Sequence, residues 1–87
     1  MAEKKVPDVP AAEMVVRRVL ETRYGDKLKR LSFRKCWYSA SGTHEFWDVE
    51  GTLLRKKGIL TKEWRNFRYQ VDSQTGNIIG YEENIPK

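Results

Sequence analysis

At 87 residues and 10.3 kDa the chain has room for one small domain, with 39% hydrophobic and 11% aromatic residues to build its core. Its lone cysteine excludes an internal disulfide, Cys36 and the lone His44 fall short of a tetrahedral zinc site, and no apolar run approaches the roughly 18–20 residues of a membrane span. A formal charge of +5 and a pI near 9.5 permit an anionic partner without naming one.

The first segment, residues 1–7, mixes charge with a proline and has no period, so a flexible leader is expected there, with a single α+β domain over 8–87. It opens Met-Ala-Glu-Lys-Lys, without the apolar stretch of a signal peptide, and a cytoplasmic location is the corresponding expectation. From Pro10 to Tyr24, Ala12, Val15, Val16, Val19, Leu20 and Tyr24 recur at the spacing of an amphipathic helix. Asp8 is placed to cap its amides, Pro10 suits the first turn, and Gly25 supplies the positive φ that ends it.

After Gly25 the period becomes two. Leu31, Phe33 and Trp37 point one way, and Arg30, Ser32, Arg34, Cys36 and Tyr38 the other, as in a half-buried strand. Ser39 to Thr43 is turn chemistry, and a second alternation puts Trp47, Val49 and Leu53 opposite Phe46, Asp48, Glu50 and Thr52. Arg55-Lys56-Lys57-Gly58 turns the chain again, into a run with Phe67, Tyr69 and Val71 inward. In Asp72-Ser73-Gln74-Thr75-Gly76 the aspartate can accept from amides ahead of it and the glycine can take positive φ; Ile78, Ile79 and Tyr81 then make a short last strand, with Ile79 inward. One helix followed by four strands joined by short turns predicts a two-layer sandwich, the helix packed on a four-stranded antiparallel meander.

The segment Phe67-Arg68-Tyr69-Gln70-Val71-Asp72-Ser73-Gln74-Thr75-Gly76-Asn77-Ile78-Ile79-Gly80-Tyr81, with Trp47-Asp48-Val49-Glu50-Gly51 before it, resembles the strand, Val-Asp-x-x-Thr-Gly turn and closing strand of PepSY-like domains, within the broader cystatin-like group. What the resemblance implies is the fold and a non-catalytic role. It contains no cystatin-type inhibitory loop motif.

Chemistry is sparse. Cys36 and His44 form a thiol centre only if the hairpin brings them together and a third group orients the pair. Asp48 and Glu50, two apart on one strand face, have the spacing of an acid and base pair, but arginines on adjoining strands can oppose them. No phosphate loop, HExxH motif or calcium loop occurs, so no enzyme, cofactor or metal is expected. Charge is more informative: residues 17–35 carry eight positive and two negative side chains, and residues 55–68 six and one. Arg30, Arg34, Lys56, Lys57, Arg65 and Arg68 are candidates for binding RNA or single-stranded DNA across a basic sheet face. Trp64 faces outward in an unbroken strand, and inward if a bulge falls between Glu63 and Asn66. If outward, it joins Phe46 and Ile78 as a candidate apolar patch for a protein partner or self-association. A protein-interaction module is the preferred reading, nucleic-acid binding the alternative, and no membrane is expected among the partners.

Overall fold

The computed structural model describes residues 5–86. Helix α1 (Val9–Tyr24) is followed by a short 3-10 turn (Gly25–Lys27) and strands β1 (Leu28–Ser41), β2 (His44–Lys56), β3 (Lys62–Asp72) and β4 (Ile78–Asn84). The strands form one antiparallel sheet in the order β1-β2-β3-β4, and α1 packs on it mainly across β1, β2 and β3. The expected α+β sandwich is therefore the observed architecture.

Local chemistry accounts for the element ends. The Asp8 carboxylate accepts from the Ala11 amide at 2.9 Å, and the helix stops at Gly25, whose φ is 56°. Asp72 accepts from the amides of Gln74 and Thr75 at 2.8 and 3.1 Å, which holds its carboxyl below the usual range, and Gly76 takes φ 79°. The β1–β2 turn is tighter than Ser39 to Thr43, because pairing continues to Ser41 and His44 and leaves only Gly42 and Thr43 between them.

The core lies between α1 and the sheet. Ala12, Val16, Leu20 and Tyr24 of the helix meet Trp47, Val49, Leu53, Phe67, Tyr69 and Val71, with Leu31 and Phe33 packed at the margin. Gly51 belongs to this packing: a Cβ there would lie 2.1 Å from the Ser32 carbonyl oxygen and 2.7 Å from Cζ of Phe67, so only a hydrogen lets the Phe67 ring lie over β2. Phe67 meets Phe33 edge-on, ring centroids 6.0 Å apart.

Two bulges overturn parts of the predicted alternation. In β1 the register jumps between Phe33 and Lys35, leaving Arg34 without a partner on β2 and reversing every side chain beyond it. Cys36 consequently packs against the core and Tyr38 meets Trp47, centroids 5.2 Å apart, whereas Trp37, expected inside, lies on the opposite face. In β4 a shift places Ile78 opposite Val71 and Gly80 opposite Gln70, so Ile79 is the extra residue. It is exposed, not inward, and Ile78 packs on the core in its place.

The leader is also tighter than expected over its described part, residues 5–7; residues 1–4 lie outside the described residues. Val6 is 1% exposed, its amide donates to the Ser73 carbonyl at 3.0 Å, and its own carbonyl accepts from the Trp47 indole Nε1 at 2.8 Å. An apolar side chain with both backbone groups satisfied is a packed element, and composition alone hides it.

Candidate functional site

The two faces of the sheet carry different chemistry. Beneath the helix, Glu83 of β4 has a side chain only 4% exposed, and four groups answer its charge. The Tyr24 and Tyr69 hydroxyls donate to it, the latter at 2.9 Å, and the guanidinium groups of Arg23 and Arg65 stand 2.9 and 3.7 Å away. Burial, then the bond to Glu83, pushes both tyrosine hydroxyls above their ordinary pKa. Arg23 also lies over the Tyr81 ring, which stacks on Tyr69. Next to this cluster Glu63 pairs with Arg65 at 2.7 Å and Lys57 at 3.3 Å, and these partners, Arg65 foremost, hold its carboxyl below the usual range. Every acid here is committed to a cation or hydroxyl, which makes the cluster a clamp joining the helix end, β3 and β4.

The opposite face has no covering element among the described residues. Its register reads as rows across the strands: Trp37, Asp48, Gln70 and Gly80; Lys35, Glu50, Arg68 and Glu82; Ser32, Thr52, Asn66 and Asn84; then Arg30, Leu54 and Trp64. The carboxylates Asp48, Glu50 and Glu82 fall in the first two rows, and the last two have none. Asp48 is buried even here, because Arg68 donates to it at 2.9 Å and Gln70 at 3.4 Å while the Arg68 guanidinium also covers the Trp37 ring.

The six basic candidates divide between these faces. Arg30 is opposite Leu54, Lys56 opposite Lys62, and Arg34 shares a shallow depression with Glu50, Asn66, Arg68 and Glu82. Arg68 is tied to Asp48, Lys57 to Glu63, and Arg65 sits beneath the helix between Glu63 and Glu83. They form no single strip. Asp48 and Glu50 are opposed by Arg68 and Lys35, so no free acid and base pair results.

The apolar trio does not assemble either. The β2–β3 register is unbroken, so no bulge returns Trp64 to the core, and it is 48% exposed beside Leu54. Phe46, on the same face, stands opposite Asp72, eight register positions away, about 26 Å along the strands. Ile78 packs against the core on the other side.

Cys36 and His44 are also separated. Cys36 pairs with Val49 on the helix side, while His44 lies at the hairpin turn. Burial, aided by Glu13 and Asp48, pushes the Cys36 thiol up to about 11, the opposite of nucleophile activation. Among the described residues no group of three or more His, Cys, Asp or Glu is gathered as a metal site. No described helix is long and apolar enough to cross a membrane.

Two features were not singled out from the sequence. The first is an open groove of about 650 Å³ between α1 and β4, lined by Val19, Arg23, Tyr69, Ile79 and Tyr81. It exists because the helix packs mainly on the other three strands and the β4 bulge turns Ile79 outward; nothing local in the sequence encodes either. The second is the β2–β3 loop, where Ile59 and Leu60 are 89% and 95% exposed. Here a signal was present, since Gly58-Ile59-Leu60-Thr61 sets two aliphatics inside a stretch whose other members are lysine and turn residues. Compared with protein-family models, curated proteins and solved structures, the chain finds no match.

Proposed function

We propose that this chain is a non-catalytic protein-interaction module of the cytoplasm that captures an extended segment of a partner along β4. The observation that carries the reading is the conjunction of a strand edge left unpaired among the described residues with the groove beside it: β4 closes the sheet on that side, and Val19, Arg23, Ile79 and Tyr81 line the space next to it. An added strand gains backbone hydrogen bonds from the edge and sends alternate side chains into the groove, so the partner segment is apolar at every second position. The other edge is a poorer template. β1 carries Lys29, Arg30, Arg34 and Lys35 and is broken by two register shifts against the single one at Ile79 in β4, devices that discourage strand addition. The PepSY-like pattern of residues 67–81, whose resemblance implies a non-catalytic module, supports the same conclusion.

The test is selection of random displayed peptides on the immobilised protein, followed by an amide-resolved NMR titration with the best of them. Expected are peptides of alternating apolar character that shift the amides of Ile78 to Asn84 and of Val19, and that lose binding in Ile79→Asp. Shifts confined to other elements, or selected peptides indifferent to Ile79→Asp, remove the assignment.

A further inference from the structure

The geometry points to a second surface, independent of the β4 groove: the β2–β3 loop docks the protein on an anionic membrane surface, Ile59 and Leu60 entering the lipid while surrounding lysines meet the headgroups. The loop is closed at its base, where the amides of Lys57 and Gly58 donate to the Thr61 carbonyl at 2.9 and 3.4 Å. Ile59 and Leu60 are thereby held at the apex, 89% and 95% exposed, instead of folding back on the sheet. Two adjacent, fully hydrated aliphatics at a tip are unfavourable in water and favourable once hydrocarbon receives them.

Charge selects the kind of surface. Asp26, Lys27, Lys29, Lys56 and Lys57 line the depression beside Ile59, and Lys62 follows the loop. Against these lysines stand Asp26 and Glu63; Glu63, its side chain only 10% exposed, is held by Arg65 at 2.7 Å as well as by Lys57, whose side chain remains 60% exposed. A lysine ring around an aliphatic tip matches an anionic leaflet, with ammonium groups at headgroup level and the tip below them. One row along the open face, Trp64 beside Leu54 supplies the aromatic that favours the same boundary. Nucleic acid accounts for the lysines but leaves the exposed aliphatic pair without a role. Such docking leaves the chain on the bilayer and not across it, which adds a partner that composition did not suggest.

The experiment is co-sedimentation of the full chain with vesicles of phosphatidylcholine alone and of phosphatidylcholine with one third phosphatidylserine, at low and high salt, beside titration with a mixed single-stranded RNA. The expected result is binding to the serine-containing vesicles only, weakened by salt. It should fall about tenfold for each of Ile59→Ser and Leu60→Ser, and about fivefold for each of Lys56→Gln and Lys57→Gln. All four positions lie at the end of β2 or in the loop outside the core, so circular dichroism should report an unchanged fold. Absence of vesicle binding overturns the proposal. So does salt-sensitive vesicle binding that ignores both serine substitutions, which would be charge adsorption alone. RNA binding that depends on Lys56 and Lys57, with no vesicle binding, transfers this end of the molecule to nucleic acid.

Discussion

Beneath the helix, Glu83 rests among two tyrosine hydroxyls and two guanidinium groups, whereas on the open face Asp48 is covered by one arginine, one amide and the neighbouring Trp37. Both carboxylates are almost wholly withdrawn from water, yet their surroundings differ in what happens when a partner is lost. Of the Glu83 partners only Arg23 is as exposed as Arg68; Tyr24, Tyr69 and Arg65 are more deeply placed, so removing the acid strands polar groups that water does not readily reach. Arg68 is 43% exposed along its side chain, and water can take over from Asp48. The difference shows how one sheet assigns its covered face to stability and leaves its open face free to change.

Substitutions on the two faces should therefore differ in cost. The largest effect is expected on the covered face, where Phe67→Ala removes a ring that is 3% exposed and leaves Gly51 facing a cavity. It should cost about 3–5 kcal/mol, a large fraction of a small domain's stability, as read by urea unfolding. Next comes Glu83→Gln, which keeps the shape and loses the charge; about 2–3 kcal/mol is expected, and a loss no greater than that of Asp48→Asn would erase the contrast drawn here.

The same cluster sets an alkaline limit. Tyr24 and Tyr69 hold their protons more tightly in the fold than the ordinary value of 10.0. Their contribution is whole below pH 10 and is lost as pH rises above it, because the unfolded chain releases those protons first. Thermal midpoints measured from pH 8 to 12 should fall beyond 10, and Tyr69→Phe should flatten that fall while starting from a lower midpoint. On the open face Asp48→Asn should cost about 1 kcal/mol in urea unfolding. Smallest of all, Trp64→Ala should change stability by no more than about 0.5 kcal/mol; a larger loss would mean that the open face is packed against something after all.

Much of this was legible in the sequence because it depends on neighbours in the chain. The helix, its Asp8 cap, its Gly25 stop and the Asp72 to Gly76 turn each follow from residues within a few positions of one another, and each is found. The bulges at Arg34 and Ile79 are properties of paired strands and cannot be read from one strand's alternation, which by itself places Trp37 and Ile79 on the wrong side. The Glu83 clamp is hidden for a related reason: its members are drawn from residues 23, 24, 65, 69 and 83, joined only by the fold. The basic candidates were identifiable as charges but not as a surface, since Arg65 and Arg68, three apart on one strand, project to opposite faces.

The Val6 contact has a consequence in time. It joins positions 6 and 73, about three quarters of the 87-residue chain apart, and holds the Trp47 indole through the Val6 carbonyl. A contact of such sequence separation bears a large loop-closure penalty and is a natural last step of folding and first step of opening. The Trp47 indole proton is then a built-in reporter: it should exchange with solvent deuterium sooner than the β2 and β3 amides beneath it, and through a partial opening that leaves the sheet intact.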